Sequence, residues 1–190
     1  AQSNFSNALD IGCGCGILSL MLTQKGQGSV HAIDIDENAV AEATENFQNS
    51  LWRARLTAEH ISVQDLLTKT TKRFDKIICN PPYFKNSLKS DNVKRNLARH
   101  DEGLTFEELA KAVSKLLSEN GHFDVILPYD SGEEMEKLML KEGLHLHSQM
   151  LIRNYKDEKP IRTIQNYSAN EQMGLKCNFL VIFNADGKYS

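Results

Sequence analysis

Strand-like and helix-like segments alternate along most of the chain, and this order is the strongest constraint on its fold. Short apolar segments typical of buried strands lie at residues 7–12, 29–36, 60–66, 73–80 and 122–128. Helical segments are predicted between and after them, at residues 16–26, 37–50, 105–121 and 131–143. This alternation predicts a mostly parallel sheet that is covered by helices on both faces and joined by right-handed crossovers.

The last part of the chain departs from the alternation. Three further strand-like segments, at residues 144–152, 160–167 and 178–183, follow one another without a helix between them. Because parallel neighbours need a long crossover, at least one of these strands must be antiparallel. The sequence therefore predicts an α/β fold with a doubly wound, mostly parallel sheet and antiparallel pairing near its C-terminus.

Two of the predicted helices begin with the residues of a capping box, in which a hydroxyl and a carboxylate three positions later cap the helix start. Thr105 and Glu108 have this spacing, and so do Ser131 and Glu134. Apolar residues at helical spacing follow Thr105, which makes residues 105–121 the clearest helix in the sequence.

Composition indicates a globular protein of ordinary polarity. The chain has 190 residues, of which 41% are hydrophobic and 25% charged, and its net charge is −3. We find neither a run of apolar residues long enough to span a membrane nor a signal-peptide pattern at residues 1–12. We interpret the four cysteines as reduced thiols and expect a cytoplasmic protein. The small negative charge argues against an extended nucleic-acid interface, although it leaves room for a local basic patch.

A glycine-rich turn follows the first predicted strand. Gly12, Gly14 and Gly16 have the spacing G-x-G-x-G, and they let a ligand approach the backbone closely. A nicotinamide-dependent dehydrogenase would carry a glycine at the next position of the G-x-G-x-x-G pattern, where this chain has Ile17.

Two acids accompany the turn. Asp34 lies 22 residues beyond Gly12, at the end of the second predicted strand, and Asp65 is predicted to end the third. An acid at the first position can accept ribose hydroxyls, and one at the second can accept an adenine amino group. The alternative is that both acids only cap helices, which is common at strand ends.

Together these features resemble the class I S-adenosylmethionine-dependent methyltransferases. The resemblance implies their Rossmann-like fold, a doubly wound and mostly parallel sheet of seven strands with antiparallel pairing at its C-terminal end. It implies S-adenosylmethionine as the cofactor. Its methionine moiety would be held by Asp10, Gly12, Gly14 and Gly16, its ribose by Asp34 and its adenine by Asp65.

The tetrapeptide at residues 80–83, Asn-Pro-Pro-Tyr, follows the fourth predicted strand. The prolines end that strand, since proline cannot donate to a central ladder. The resemblance implies transfer to a nitrogen conjugated to a planar group. Asn80 and the carbonyl of Pro81 can accept the two hydrogens of such an amine, while Tyr83 stacks on the plane. Pro82 and Phe84 would line the same site, although Phe84 can equally be part of the core.

The sequence after the tetrapeptide, together with LDIGCGCGILSLML, NFQNSLW and the final FLVIFNADGKYS, is similar to the bacterial tRNA1(Val) adenine-37 N6-methyltransferases. The resemblance implies a tRNA substrate. Residues 85–100 are rich in cations that can hold phosphates, or that can simply form a solvated loop: Lys85, Lys89, Lys94, Arg95 and Arg99. The family also has an N-terminal and a further C-terminal segment. We expect both to lie outside this sequence, which we interpret as a single domain over 1–190.

Three alternatives to tRNA methylation stay open. Release-factor glutamine methyltransferases carry the same tetrapeptide, and so do adenine methyltransferases of other nucleic acids. Enzymes that modify guanine in ribosomal RNA typically have phenylalanine where this chain has Tyr83. A cofactor-binding module without catalysis is the third, although the presence of Asn80 and Tyr83 argues against it. We expect no metal, because the cysteines and histidines lack the spacing of a metal site. The sequence does not indicate an oligomeric state.

Overall fold

The computed structural model describes residues 5–81, 104–171, 174–183 and 189. Its strands are β1 (Asn7–Ile11), β2 (Ser29–Asp34), β3 (Leu56–His60), β4 (Phe74–Cys79), β5 (Leu117–Pro128), β6 (His145–Arg153), β7 (Arg162–Ser168) and β8 (Lys176–Val181). Its helices are α1 (Ile17–Lys25), α2 (Glu37–Gln48), α3 (Val63–Lys69), α4 (Phe106–Leu116) and α5 (Gly132–Lys141).

All of these strands belong to one sheet, in the order β3-β2-β1-β4-β5-β7-β6-β8. The first five in this order run parallel, whereas β7 is antiparallel to both β5 and β6. The predicted mostly parallel α/β sheet with antiparallel C-terminal pairing is therefore confirmed. The predicted number of strands, seven, is wrong, because β8 pairs in parallel with β6 and extends the sheet to eight strands.

The chain changes direction across the sheet between β1 and β4. From β1 it proceeds outward to β2 and β3, and then returns to β4 on the other side of β1. Open α/β sheets bind ligands at such a switch point, outside the carboxyl ends of the strands. The fold therefore directs attention to the residues that follow β1, β2 and β4.

Two apolar clusters stabilise the sheet, one on each face. Leu9 and Ile11 belong to the larger cluster and Ala8 to the smaller one, as expected for side chains that alternate along a strand. Helices α3, α4 and α5 contribute to the larger cluster, and α2 supplies Ala43 and Phe47 to the smaller one.

Helix α4 begins as predicted but ends early. The capping box is present: Thr105 Oγ1 accepts from the Glu108 amide at 3.2 Å, and the Glu108 carboxylate accepts from the Thr105 amide at 2.9 Å. The helix ends at Leu116, since Leu117 already pairs with Phe74 of β4. The second predicted box is wrong, because Ser131 makes no side-chain cap at the start of α5.

The third predicted strand, residues 60–66, is the largest error. Residues 56–60 form β3, and α3 occupies 63–69. Ser62 caps α3 by accepting from the Asp65 amide at 3.0 Å, and Val63 and Leu66 are buried at helical spacing. The apolar residues of this segment therefore form one face of a short helix rather than alternate faces of a strand.

Candidate active site

The strand register brings the ends of three strands together. In the ladders, Ile11 pairs with Ile33 of β2 and with Cys79 of β4, and Asp34 is the last residue of β2. Adjacent strands lie about 4.8 Å apart. The glycine turn after Ile11, the Asp34 carboxylate and Asn80 therefore occupy one edge of the sheet, at the switch point.

The glycine turn has a backbone that favours glycine at each of its three predicted positions. The φ angles are +71° at Gly12, +52° at Gly14 and +81° at Gly16, all in the left-handed region. The amides of Gly12 and Cys13 both donate to the Ile33 carbonyl, at 2.9 and 3.1 Å. These bonds tie the turn to the end of β2.

The three glycines serve two purposes. A Cβ added at Gly12 or at Gly14 would meet no protein atom within 4 Å, so that side of the turn is open. A Cβ at Gly16 would lie 2.4 Å from the Phe47 ring of α2. The first two glycines therefore leave space in which a ligand can contact the backbone, and the third allows α2 to pack against the turn.

Asp34 connects β2 to the turn. Its Oδ2 accepts from the Gly14 amide at 2.8 Å, and its Oδ1 accepts from the Asp36 amide at 3.0 Å. The N-cap of α2 is not Asp34 but Asp36, which accepts from the Asn38 amide at 2.9 Å. Each carboxylate oxygen has more than one lone pair. Asp34 can therefore hold the turn and still accept from ribose hydroxyls.

Asp65 does not end a strand, contrary to the prediction. It lies in the first turn of α3, five residues beyond the end of β3, and is exposed. Its Oδ2 accepts from the Ser62 hydroxyl at 2.8 Å, so it takes part in the start of the helix. Helix α3 follows the carboxyl end of β3, which keeps Asp65 on the same rim of the sheet as the turn.

Asp10 is the fully buried acid of the site. Its side chain is 0% exposed, Oδ2 accepts from the Ser19 hydroxyl at 2.7 Å, and Oδ1 has no hydrogen-bond partner. Burial raises the pKa of this carboxyl from 3.8 to about 6, and hydrogen bonding from Ser19 opposes that rise.

Burial disfavours the nucleophilic thiolate form of two nearby cysteines, Cys13 and Cys79. Burial raises the pKa of Cys13 to about 12 and that of Cys79 further still, with contributions from the negative charges of Asp10 and Asp34. Both thiols therefore stay protonated near neutral pH. All four cysteines are free thiols, as predicted.

Sequence reasoning missed two residues that support the turn. The Asn46 side chain of α2 donates to the Cys15 carbonyl at 2.9 Å, and Ser19 of α1 holds Asp10. Asn46 begins the NFQNSLW segment that is similar to the methyltransferase family, but nothing in that segment indicated its contact with the turn. Ser19 had a recognisable signal, because Ser19 and Thr23 are the small polar residues, four apart, of an otherwise largely apolar helix.

The tetrapeptide begins where β4 ends. Asn80 directly follows the last residue of β4 and is exposed, whereas Pro81 is buried. The other predicted substrate-site residues lie outside the described part of the chain: Pro82, Tyr83, Phe84, Lys85, Arg95 and Arg99. Among the residues that are described, no cluster of three or more metal-binding side chains occurs.

Known proteins match both the sequence and the fold. The family model of the methyltransferase small domain matches residues 1–127. This chain belongs to that family. A relative from Bacteroides fragilis, named tRNA1(Val) (adenine(37)-N6)-methyltransferase, is 38% identical over 168 residues, which cover 86% of this chain and 70% of that protein. A relative from Phocaeicola vulgatus with the same name is 40% identical over 159 residues, 83% of this chain and 67% of that protein.

Solved structures agree on the fold of this methyltransferase. A predicted O-methyltransferase from Agrobacterium tumefaciens superposes with a TM-score of 0.70 at 16% identity, over 97% of this chain and 85% of that one. A ribosomal protein L11 methylase from Lactobacillus delbrueckii gives 0.62 at 17% identity, over 89% and 72%. The predicted family, fold and enzyme class are thus confirmed. In the described residues, no helix has the length and apolar character of a membrane span.

Proposed function

We propose that this methyltransferase transfers a methyl group from S-adenosylmethionine to the N6 amino group of adenine 37 in tRNA1(Val). Relatives that are 35–42% identical over most of the chain carry that activity in their names. The structural observation that carries the proposal is the position of Asn80. It follows Cys79, which pairs with Ile11, so the predicted methyl-accepting site adjoins the glycine turn.

The turn and its acids fit the cofactor. Open space beside Gly12 and Gly14 leaves room for the methionine moiety against the backbone, with Gly16 completing the turn. S-adenosylmethionine supplies a methyl group on a positively charged sulfur, and Asp10 and Asp34 contribute negative charge nearby. Asp34 would accept from the ribose hydroxyls. Asp65 would accept from the adenine amino group of the cofactor through Oδ1, since Ser62 occupies Oδ2.

Asn80 and Pro81 prepare the acceptor amine. The lone pair of an aromatic amine is delocalised into its ring, so the nitrogen is a weak nucleophile. The side-chain oxygen of Asn80 and the carbonyl of Pro81 would accept its two hydrogens and favour a pyramidal nitrogen. Both oxygens also stabilise the positive charge that develops on nitrogen during transfer. Correct alignment of the lone pair supplies a further large part of the rate.

The remaining predicted residues would hold the RNA. Tyr83 would stack on the flipped adenine, a contact worth about 1–3 kcal/mol. Pro82 and Phe84 would border the same pocket, and Lys85, Arg95 and Arg99 would contact phosphates. A base in an anticodon loop is cheap to extrude into such a pocket, because it is not paired. A tRNA substrate would place the enzyme in the cytoplasm.

The second candidate, methylation of a glutamine side chain in a release factor, uses the same chemistry. An amide nitrogen is also planar and conjugated, and two acceptor oxygens would hold it equally well. The names of the relatives favour tRNA, and the cations of residues 85–100 suit phosphates better than a protein surface.

Methyl transfer from labelled S-adenosylmethionine tests the proposal. Three substrates are compared: a tRNA1(Val) transcript, the same transcript with guanine at position 37, and a peptide release factor. We expect label only in the first. Label in the release factor alone would establish the second candidate instead. Equal labelling of the two transcripts would show that position 37 is not the target.

A further inference from the structure

Helix α1 buries two hydroxyl side chains completely. Ser19 and Thr23 are both 0% exposed. Leu20 and Leu22 of the same helix are only partly buried against the smaller apolar cluster, and Ile17 is 55% exposed. Buried hydroxyls need hydrogen-bond partners. Their complete burial on a helix that also packs through leucines points to a specific use for them.

The two hydroxyls differ in what they bind. The Ser19 hydroxyl donates to Asp10 Oδ2 at 2.7 Å, across the interface between α1 and β1. The Thr23 hydroxyl donates to the Ser19 carbonyl at 2.7 Å, within its own helix. Only Ser19 therefore connects α1 to the acid that precedes the glycine turn, and Thr23 supplies a matched comparison.

Among the described residues, few groups favour a charge on Asp10. In that part of the chain, the titratable groups that act on Asp10 or respond to it are the carboxylate of Asp34 and the thiols of Cys13 and Cys79. Asp34 disfavours the charge, and the two thiols are neutral. Ser19, through its side chain and its backbone, supplies the hydrogen bonding that favours it. A hydrogen bond to a charged group contributes about 1.5–3 kcal/mol.

We propose that Ser19 is a positioning residue for cofactor binding, whose hydroxyl holds the Asp10 carboxylate ionised and in place beside the glycine turn. The inference rests on the proposed function, because the ligand in question is S-adenosylmethionine. This ligand carries an ammonium and a sulfonium, and it gains from a buried negative charge near the turn. Without the Ser19 hydroxyl, the effect of burial would be less opposed, and Asp10 would be protonated at a higher pH.

The test is the pH dependence of S-adenosylmethionine binding, measured by calorimetry without RNA. The wild-type protein should lose affinity as the pH falls through about 6, the pKa of Asp10. In Ser19→Ala the midpoint should move up by about one to two pH units, which corresponds to the lost hydrogen bond. At neutral pH the Kd should rise by roughly two- to tenfold, while kcat at saturating cofactor changes little.

Three variants separate this role from a structural one. Thr23→Val removes the neighbouring buried hydroxyl and should lower stability without moving the midpoint. Ser19→Cys retains a weak donor of similar size and should give an intermediate midpoint, and it also serves if Ser19→Ala does not fold. Asp10→Asn should remove the pH step altogether. A midpoint in Ser19→Ala or Ser19→Cys equal to that of the wild type would overturn the proposal, as would an equal shift in Thr23→Val.

A second measurement does not depend on the cofactor. The Asp10 carboxyl can be titrated by carbon NMR in the wild-type protein and in Ser19→Ala, and its pKa should be higher in the variant. An unchanged pKa would also overturn the proposal. If the wild-type protein binds S-adenosylmethionine but labels no tRNA, the proposed substrate is wrong and the role of Ser19 stands.

Discussion

The effect of replacing Asp10 with asparagine on the free energy of unfolding should become more favourable as the pH rises. The pKa of Asp10 rises from 3.8 in the unfolded chain to about 6 in the folded protein, mainly because the carboxyl is buried. The folded protein therefore binds a proton more tightly than the unfolded chain between these values. The contribution of Asp10 to the free energy of unfolding is therefore greatest below the unfolded pKa and is lost as the pH rises through the folded pKa.

The size of the effect follows from the shift. About two pKa units correspond to roughly 3 kcal/mol, the cost of ionising Asp10 in the fold at high pH. Asparagine does not titrate and avoids this cost. We therefore compare the free energy of unfolding of Asp10→Asn with that of the wild-type protein. The variant's value relative to the wild type should increase by about 2.5 kcal/mol between about pH 4 and about pH 7.5.

Urea unfolding of both proteins across this range measures the difference. Asparagine introduces its own penalty, since its amide group replaces the buried Oδ1 that has no partner. This penalty is the same at every pH and cancels when two pH values are compared. A difference that stays constant with pH, or that decreases as the pH rises, would refute the argument that burial dominates the pKa of Asp10.

Three further predictions concern the turn and the acceptor site. Gly16→Ala should lower the free energy of unfolding by more than Gly143→Ala does. Both glycines have a φ near +80°, which costs a residue with a side chain about 1–2 kcal/mol, but only at Gly16 would the added methyl group also meet the Phe47 ring. Equal losses in urea unfolding would show that Phe47 moves aside without cost. Asn46→Ala should raise the KM for S-adenosylmethionine and leave kcat near the wild-type value, because it frees the Cys15 carbonyl; a lower kcat at unchanged KM would contradict this. Asn80→Ala should abolish turnover in the tRNA assay while calorimetry shows near-normal cofactor binding, and wild-type turnover would disprove its role.

Local patterns predicted those parts of the fold that depend on neighbours in the chain. The glycines of the turn were recognisable because only glycine readily adopts the positive φ found at Gly12, Gly14 and Gly16. The end of β4 was recognisable because Pro81 cannot donate to a central ladder. Asp34 was placed at the end of β2 by counting along a strand and a helix of ordinary length.

The errors arose where a local helix cap was overlooked or where distant residues decide the structure. Residues 60–66 have the apolar content of a strand, and the Ser62 cap together with the burial of Val63 and Leu66 makes them the start of α3. Residues 117–121 continue a good helical pattern, yet they extend β5 because Leu117 pairs with Phe74. Asp65 was consequently assigned to a strand end that lies five residues earlier.

The sequence by itself determined the alternation of strands and helices, the turn that ends β1 and the acid that ends β2, because proline, glycine and apolar periodicity act through local sterics and burial. Only the tertiary structure decided that Ser19 faces Asp10 and that Asn46 holds the turn. Nothing in the sequence indicates that the two residues of either pair contact each other. These contacts form because the packing of α1 and α2 on the sheet brings a donor within reach of an acceptor that burial has removed from water.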